Sequence, residues 1–241
     1  MLIPRYILFV VLTLLLTGWI GYNTYATARL LRTWRPPSNP LLHPLETLVR
    51  LLLIAACIGL GWLSGLDWPV LGWTAANPWA QVVLGVLGGT ALGAVFLLTT
   101  RWVVKRTGER FYSSLVLDLI VPKSRREFLL TTLAMVTVVL LEELLFRSLL
   151  IGGMTPLLPG PLLVLSVGII FGLLHSPQGT WGMAGAALAG VILGALFLLA
   201  GSLLLPSIAH YMANMIQVSV AYRERAVSTA PEQLQMGVRT E

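Results

Sequence analysis

The chain has 241 residues, of which 56% are hydrophobic and only 11% are charged, and its formal net charge is +6. A soluble domain carries about 25% charged residues, so this composition excludes an ordinary soluble protein. The positive charges lie in short clusters between apolar runs, which favours loops that face anionic lipid over binding to nucleic acid. The composition therefore predicts a membrane protein that crosses the bilayer several times as α-helices.

The first apolar run covers residues 6–25 and is long enough to cross the roughly 30 Å hydrocarbon core of a bilayer. A cleaved signal peptide is the alternative, because the triplet Ala-Thr-Ala at 26–28 resembles a cleavage site. The run is long for a signal peptide, which favours an uncleaved first span. Further spans are predicted at 48–63 and 81–100, with a Trp- and Pro-rich segment between them that is typical of a membrane–water interface.

Four more spans follow a basic loop, which includes a short interfacial stretch at 113–121. They are predicted at 128–151, at 162–175 (a short one), at 181–200, and from 206 to 222. The fold class is thus an all-α transmembrane bundle of about seven or eight spans. Positive charge is concentrated after the first, third and seventh spans, which predicts an outside N-terminus and a cytoplasmic C-terminus.

Two stripes of small residues predict that helices pack closely in this bundle. The stripes, with members four residues apart, are Gly85, Gly89 and Gly93 in the third span and Gly182, Ala186, Gly190 and Gly194 in the sixth.

The fourth span contains three ionisable residues in the run LLEELLFRSLL at 140–150. Each charge at the bilayer centre costs about 2.5 to 3.5 kcal/mol, so three charges in this run indicate a structural or functional role. Glu143 and Arg147 are four residues apart in the favourable order for a helical ion pair, and packing alone would explain that pair. Glu142 is rotated by about 100° from Glu143 and faces elsewhere. An ionisable residue left unpaired inside a membrane is a candidate functional residue.

Two histidines lie in other apolar spans, each with a motif partner four residues away. Phe171 and His175 share one helical face in FGLLH, and His210 and Asn214 share another in HYMAN. Each histidine taken alone is more often a core residue than a catalyst. Two imidazoles, a carboxamide and the Glu142 carboxylate on three apolar helices together predict one site, provided that the helices pack side by side.

Two chemistries suit these groups. In the first, Glu142 and His175 activate a water that attacks an amide carbonyl, while His210 and Asn214 donate hydrogen bonds to the oxyanion. In the second, Glu142, His175 and His210 bind a divalent metal such as Zn²⁺, which activates the water. The metal-free form is favoured, because the HExxH zinc signature is absent and Asn is a poor zinc ligand. The sequence has no GxSxG motif, which argues against a serine nucleophile.

The three motifs, in this order, resemble the CAAX protease and bacteriocin-processing family of intramembrane endopeptidases, also called the CPBP or Abi family. Its pattern is EExxxR, FxxxH and HxxxN, and the resemblance covers residues 127–222. It implies that Glu142 is the base that activates water and that His175 assists it. It further implies that His210 and Asn214 form the oxyanion site, with Glu143, Arg147 and Phe171 in support. The family does not settle whether a metal takes part.

The resemblance divides the chain into N-terminal transmembrane helices with basic loops at 1–126, a catalytic transmembrane core at 127–222 and a disordered polar tail at 223–241. It implies an integral, multi-pass protein of the prokaryotic cell membrane. The expected partners are the lipid bilayer and a peptide or membrane-anchored protein substrate, with a prenylated protein as one option. No nucleic-acid partner is expected.

Two other classes of membrane protein are alternatives to the protease hypothesis. A proton- or ion-coupled transporter also uses buried Glu and His residues, but the inverted repeat common in transporters is not visible here. A non-catalytic binding protein would have lost some of the motif residues, and none is missing.

The positions of Glu142 and His175 present a difficulty for straight helices. At 1.5 Å per residue, Glu142 would lie roughly 24 Å from the basic loop, whereas His175 ends a short span and would lie near the cytoplasmic side. The two residues can meet only if a helix is offset or broken, for which GGMTPLLPGP at 152–161 is the candidate segment.

Overall fold

The protein is described by a computed structural model that covers residues 2–237, with side chains for residues 4–227. This part of the chain forms helices and contains no strand, so the all-α fold class is confirmed. The α-helices are α1 (Leu2–Leu30), α2 (Pro44–Ser64), α3 (Pro78–Thr107), α4 (Leu115–Ile120), α5 (Arg125–Glu143), α6 (Gly160–Leu173), α7 (Gly179–Ala200) and α8 (Leu204–Gly237). A π-helix, Leu144–Ile151, continues α5 without a break.

Five helical segments of the described chain are long and apolar enough to cross a membrane, which confirms a polytopic bundle. They are Pro4–Leu30, Pro44–Ser64, Pro78–Arg110, Arg125–Met154 and Ser176–Ala200. The predicted count of seven or eight also included α6, which is shorter, and α8, which is not among the five. Residues 223–237 of the predicted tail lie in α8, and the division of the chain into three parts stays a prediction. Residues 238–241 of that tail lie outside the described residues.

The small residues of α3 bring this helix against α8 over three turns. A Cβ at position 89 would lie 2.7 Å from the Cα of Ala209, and one at position 93 would lie 3.0 Å from the Cα of Ala213. Contacts that advance together along both chains mean that α3 and α8 run in parallel. Because His210 directly follows Ala209, this close approach fixes the depth at which the imidazole enters the bundle.

Small residues also join α6 to α7 in an antiparallel pair. A Cβ at Gly190 would lie 3.0 Å from the Cα of Gly168, and one at Gly172 would lie 3.0 Å from the Cα of Ala187. The predicted stripe on α7 does not act as one surface, however. Its first member, Gly182, faces the side chain of Gln178 rather than a neighbouring helix.

The chain break after the π-helix brings His175 back to the depth of Glu142. The helical span that starts at Arg125 continues past Glu142 to Met154, which is a rise of about 18 Å for 12 residues. Helix α6 then returns over 14 residues, or about 21 Å. The two residues meet, as the alternative of a broken helix requires, because the short helix starts beyond the site and ends beside it. The break lies in the segment that the sequence indicated.

Helix α1 is part of the packed bundle. Phe9 and Thr13 are fully buried, and the Tyr6 hydroxyl donates a 2.8 Å hydrogen bond to the carbonyl of Gly153. Phe9 fills the space that the missing side chain of Gly153 leaves open. The N-terminal run therefore supports the segment where the chain turns between the π-helix and α6.

Basic segments from three parts of the chain meet at one end of the bundle. Arg101 at the end of α3 pairs with Glu224 of α8, and Arg225 donates a 2.7 Å hydrogen bond to the carbonyl of Val121 before α5. The cytoplasmic placement of that end stays a prediction.

Candidate active site

A cavity of about 480 Å³ opens between α3, α5, α7 and α8. All four residues predicted to be catalytic line it: Glu142, His175, His210 and Asn214. Most of the remaining lining is apolar and includes Leu92, Phe96, Leu117, Val138, Leu188 and Leu193. We call this space the first cavity. The packing therefore brings together the groups that the sequence placed on three separate helices.

Glu143 and Arg147 form the buried side of the site. Glu143 is fully buried, Arg147 is 1% exposed, and their ion pair has an N–O distance of 2.9 Å. The predicted i, i+4 pair is thus present. The Arg147 guanidinium also lies 4.9 Å from the ring centre of Phe171 and donates to the carbonyl of Gly190. These contacts offset the cost of burying a charge in an apolar bundle.

His210 connects the two glutamates. Its Nδ1 lies 2.8 Å from Oε1 of Glu143, and its Nε2 lies 3.5 Å from Oε2 of Glu142. A carboxylate only accepts hydrogen bonds, so Nδ1 carries a proton and donates a hydrogen bond to Oε1 of Glu143. Nε2 is then the nitrogen directed at Glu142. The sequence analysis missed this contact with Glu143, because a spacing of 67 residues gives no signal of it.

Glu142 is the more accessible carboxylate, with a side chain that is 27% exposed. It has no ion-pair partner among the described residues except His210, whereas Glu143 is paired with Arg147 as well. One glutamate is therefore engaged by the protein, and the other is presented to the cavity.

His175 is oriented by its own helix. Its Nδ1 lies 2.7 Å from the carbonyl oxygen of Phe171, one turn earlier, so Nδ1–H donates to that carbonyl. The other nitrogen, Nε2, then carries the lone pair and can accept a proton or a hydrogen bond. Phe171 and His175, which were predicted to share a helical face, are thus in contact, and their ring centroids lie 4.5 Å apart.

Phe171 is the packing centre of the site. Besides His175, its ring contacts Phe146 edge-on at 5.0 Å and His210 at 5.8 Å. Since Arg147 stacks on the same ring, one aromatic side chain sets the relative positions of the π-helix, α6 and α8. This is a structural explanation for an aromatic residue four positions before the histidine.

Asn214 lies one turn after His210 on α8 and lines the first cavity. Its Nδ2 is 3.7 Å from the sulfur of Met135, which is a weak acceptor. The carboxamide is consequently available to a better acceptor in the cavity.

A second cavity of about 300 Å³ lies on the other side of Glu142 and His175. Its walls come from α1, through Ile20 and Thr24, and from α5, the π-helix and the α6–α7 connection. Sequence reasoning missed the part played by α1 and also missed Gln178, which lines both cavities. A signal for Gln178 was available, since it is a polar residue three positions after His175.

A metal ion in the site would need several ligating side chains close together. Among the residues that the structure describes, no three His, Cys, Asp or Glu side chains are grouped so that they could hold a metal ion. The alternative zinc set of Glu142, His175 and His210 therefore gains no support, and we derive no step through a metal. Independence from metal stays a prediction.

Residues 124–216 match the family model described as type II CAAX prenyl endopeptidase Rce1-like. This segment is Rce1-like. The predicted resemblance is confirmed, and the Rce1-like segment contains every predicted site residue from Glu142 to Asn214. No curated protein and no solved structure matched the chain. Together with the five apolar spans, the match supports an integral membrane protein whose residues 124–216 are similar to a protease family.

Proposed function

We propose that the protein is an intramembrane endopeptidase in which Glu142 activates the water that hydrolyses a peptide bond. The observation that carries this proposal is the different environment of the two neighbouring glutamates. Glu143 is buried and ion-paired, and Glu142 faces the first cavity beside two imidazoles. A general base must be able to reach its proton, and of the two glutamates Glu142 meets that requirement.

The hydrolytic step uses groups that line the first cavity. Glu142 takes a proton from water as the oxygen attacks the carbonyl carbon, and His175 orients the water through Nε2. The tetrahedral intermediate collapses when the C–N bond breaks. Glu142 then returns the proton to the leaving amine, so the products are a carboxylic acid and an amine.

The negative oxygen of the intermediate needs hydrogen-bond donors from the wall of the first cavity. Asn214 supplies a carboxamide N–H, and His210 supplies Nε2–H when both of its ring nitrogens are protonated. Glu143 accepts a hydrogen bond from Nδ1 of His210 and so fixes the orientation of the ring. The buried ion pair with Arg147 holds Glu143 in place for this contact.

The substrate class follows from the position and lining of the cavity. Its apolar walls lie between membrane-spanning helices, so the proposed substrate is a peptide segment anchored in the membrane. The Rce1-like segment supports a lipid-modified peptide, for which a prenylated cysteine is the first choice to test.

The test is cleavage of fluorogenic peptides that carry a farnesylated cysteine, with products identified by mass spectrometry. Wild-type protein in liposomes is expected to cleave them. Glu142→Gln is expected to lower kcat by about 100- to 10,000-fold, the usual contribution of a general base. Glu109→Gln, which removes an exposed carboxylate at the end of α3, is the matched control and should cleave like the wild type. Full activity of Glu142→Gln would exclude the proposed mechanism.

A second experiment addresses the metal. Prolonged dialysis against a chelator, followed by assay of the same peptides, is expected to leave kcat unchanged. Loss of activity that returns with added Zn²⁺ would overturn the metal-free form of the mechanism.

A further inference from the structure

The wall between the two cavities contains one polar residue to which the proposed function assigns no role. Five residues line both cavities: Val116, Glu142, Phe171, His175 and Gln178. Three of these are polar, and the hydrolytic step uses only Glu142 and His175. Gln178 is the third.

The backbone of Gln178 is held on both sides. Its N–H donates a 2.9 Å hydrogen bond to the carbonyl of His175, and its own carbonyl accepts a 3.0 Å hydrogen bond from the N–H of Ser113. The next residue, Gly179, has a φ of 79° and packs so closely on Phe111 that a Cβ would lie 2.7 Å from the Phe111 carbonyl oxygen. His175 and Gln178 therefore belong to one turn, which the segment after α3 keeps in place.

The side chain of Gln178 is held differently. It makes no hydrogen bond with the part of the chain that the structure describes, although it precedes α7 at a position where side chains often cap a helix. It packs instead over Gly182, where an added Cβ would overlap the Cβ of Gln178 and lie 3.2 Å from Oε1. A half-buried carboxamide with apolar neighbours is stabilised when its donors and acceptor form hydrogen bonds.

We propose that Gln178 is a further substrate-contacting residue, whose carboxamide hydrogen-bonds the peptide backbone of the substrate next to the scissile bond. This inference rests on the proposed function. The scissile bond must lie at Glu142 and His175, and both side chains lie on the wall that Gln178 shares. A carboxamide offers one acceptor and two donors, which match the C=O and N–H groups of an extended peptide. It adds no charge to a site that already holds two carboxylates and an arginine.

The variant Gln178→Met tests the contact, because it keeps the length of the side chain and removes its donors and acceptor. On the farnesylated peptides we expect kcat/KM to fall about three- to tenfold, the range for one lost hydrogen bond, mainly through KM. Asn23→Leu is the matched control, since it removes an exposed carboxamide on α1 that lines neither cavity. Its kinetics should equal those of the wild type.

Gly182→Ala provides an independent variant, because its methyl group displaces Gln178 without changing it. It should reproduce part of the rise in KM. The overlap is with the Cβ of Gln178, in the turn that holds His175, so it should also lower kcat to the same extent in the wild-type and Gln178→Met backgrounds. Gly88→Ala is the control for the added methyl group, since nothing lies within 4 Å of a Cβ at that position.

Peptides methylated at single backbone nitrogens locate the contact. At one position beside the scissile bond, the methyl group should weaken binding to the wild type. At the same position it should not weaken binding to Gln178→Met, which already lacks the contact. Wild-type cleavage combined with an unchanged KM in Gln178→Met would overturn the inference and leave the proposed function standing. If the wild type and Glu142→Gln were equally inactive on every peptide, the proposed function would fail, and the inference with it.

Discussion

The two sides of the α5–π-helix segment place neighbouring glutamates in opposite environments. On the buried side, Glu143 accepts from His210 and pairs with Arg147, which stacks on Phe171. On the cavity side, Glu142 has only the more distant Nε2 of His210 and remains partly exposed. The second glutamate of the motif neutralises the buried arginine and orients the histidine, so the first glutamate remains accessible from the cavity.

The largest expected effect on stability comes from breaking the buried side. Arg147→Leu leaves the fully buried Glu143 with His210 as its remaining partner, and losing the arginine from a buried ion pair costs about 3 to 5 kcal/mol. Thermal unfolding in detergent should show a large drop in Tm. Replacing both partners, as Glu143→Leu with Arg147→Leu, should recover part of that loss, since no buried charge is then left unpaired.

An exposed ion pair supplies the control for that prediction. Arg101 and Glu224 form a salt bridge in which both side chains are more than half exposed. Arg101→Leu should change the free energy of unfolding by less than about 1 kcal/mol. A Tm for Arg147→Leu as high as that of Arg101→Leu would contradict the account of the buried side.

The cavity side can be disturbed through helix packing. Gly89→Leu forces α3 away from α8 at Ala209, next to His210, and overpacking of this kind costs about 1 to 3 kcal/mol. We expect both Tm and peptide cleavage to fall. Gly88→Leu on the same helix points into open space and should change neither, so equal behaviour of the two variants would show that the contact does not position His210.

Among the buried contacts, the smallest effect on stability is expected for the hydrogen bond between Trp73 and Ser148. The indole N–H of Trp73 donates a 2.9 Å hydrogen bond to the fully buried hydroxyl of Ser148, within the π-helix. Trp73→Phe should cost about 1 kcal/mol for this bond, beyond the change in packing. Trp79→Phe, at a position that is 82% exposed, is the comparison for calorimetric measurement. A Trp73→Phe variant as stable as Trp79→Phe would mean that this bond adds nothing.

Much of the architecture could be predicted from hydropathy, because a span in lipid needs a long run of apolar residues. The small residues at Gly89 and Gly190 likewise indicated close packing before any partner was known. The ion pair of Glu143 and Arg147 was predictable because its spacing is local. These features depend only on residues near one another in the chain.

Other features could not be predicted, because they depend on contacts between distant segments. The hydrogen bond of His210 to Glu143 joins α8 to α5, and no local spacing encodes it. The π-helix, Leu144–Ile151, leaves no signal in hydropathy, since its residues are as apolar as those of an α-helix. The depth of His175 could not be predicted, because it depends on where the chain turns between the π-helix and α6.

The most direct test of water activation by Glu142 is a single turnover of the farnesylated peptide in H₂¹⁸O, with mass spectrometry of both product and enzyme. If Glu142 acts as a general base, the new carboxyl group gains one ¹⁸O in the first turnover and the peptide that contains Glu142 gains none. Appearance of ¹⁸O in the Glu142 carboxylate, with unlabelled product, would contradict the account, because it would show that Glu142 itself attacks the substrate.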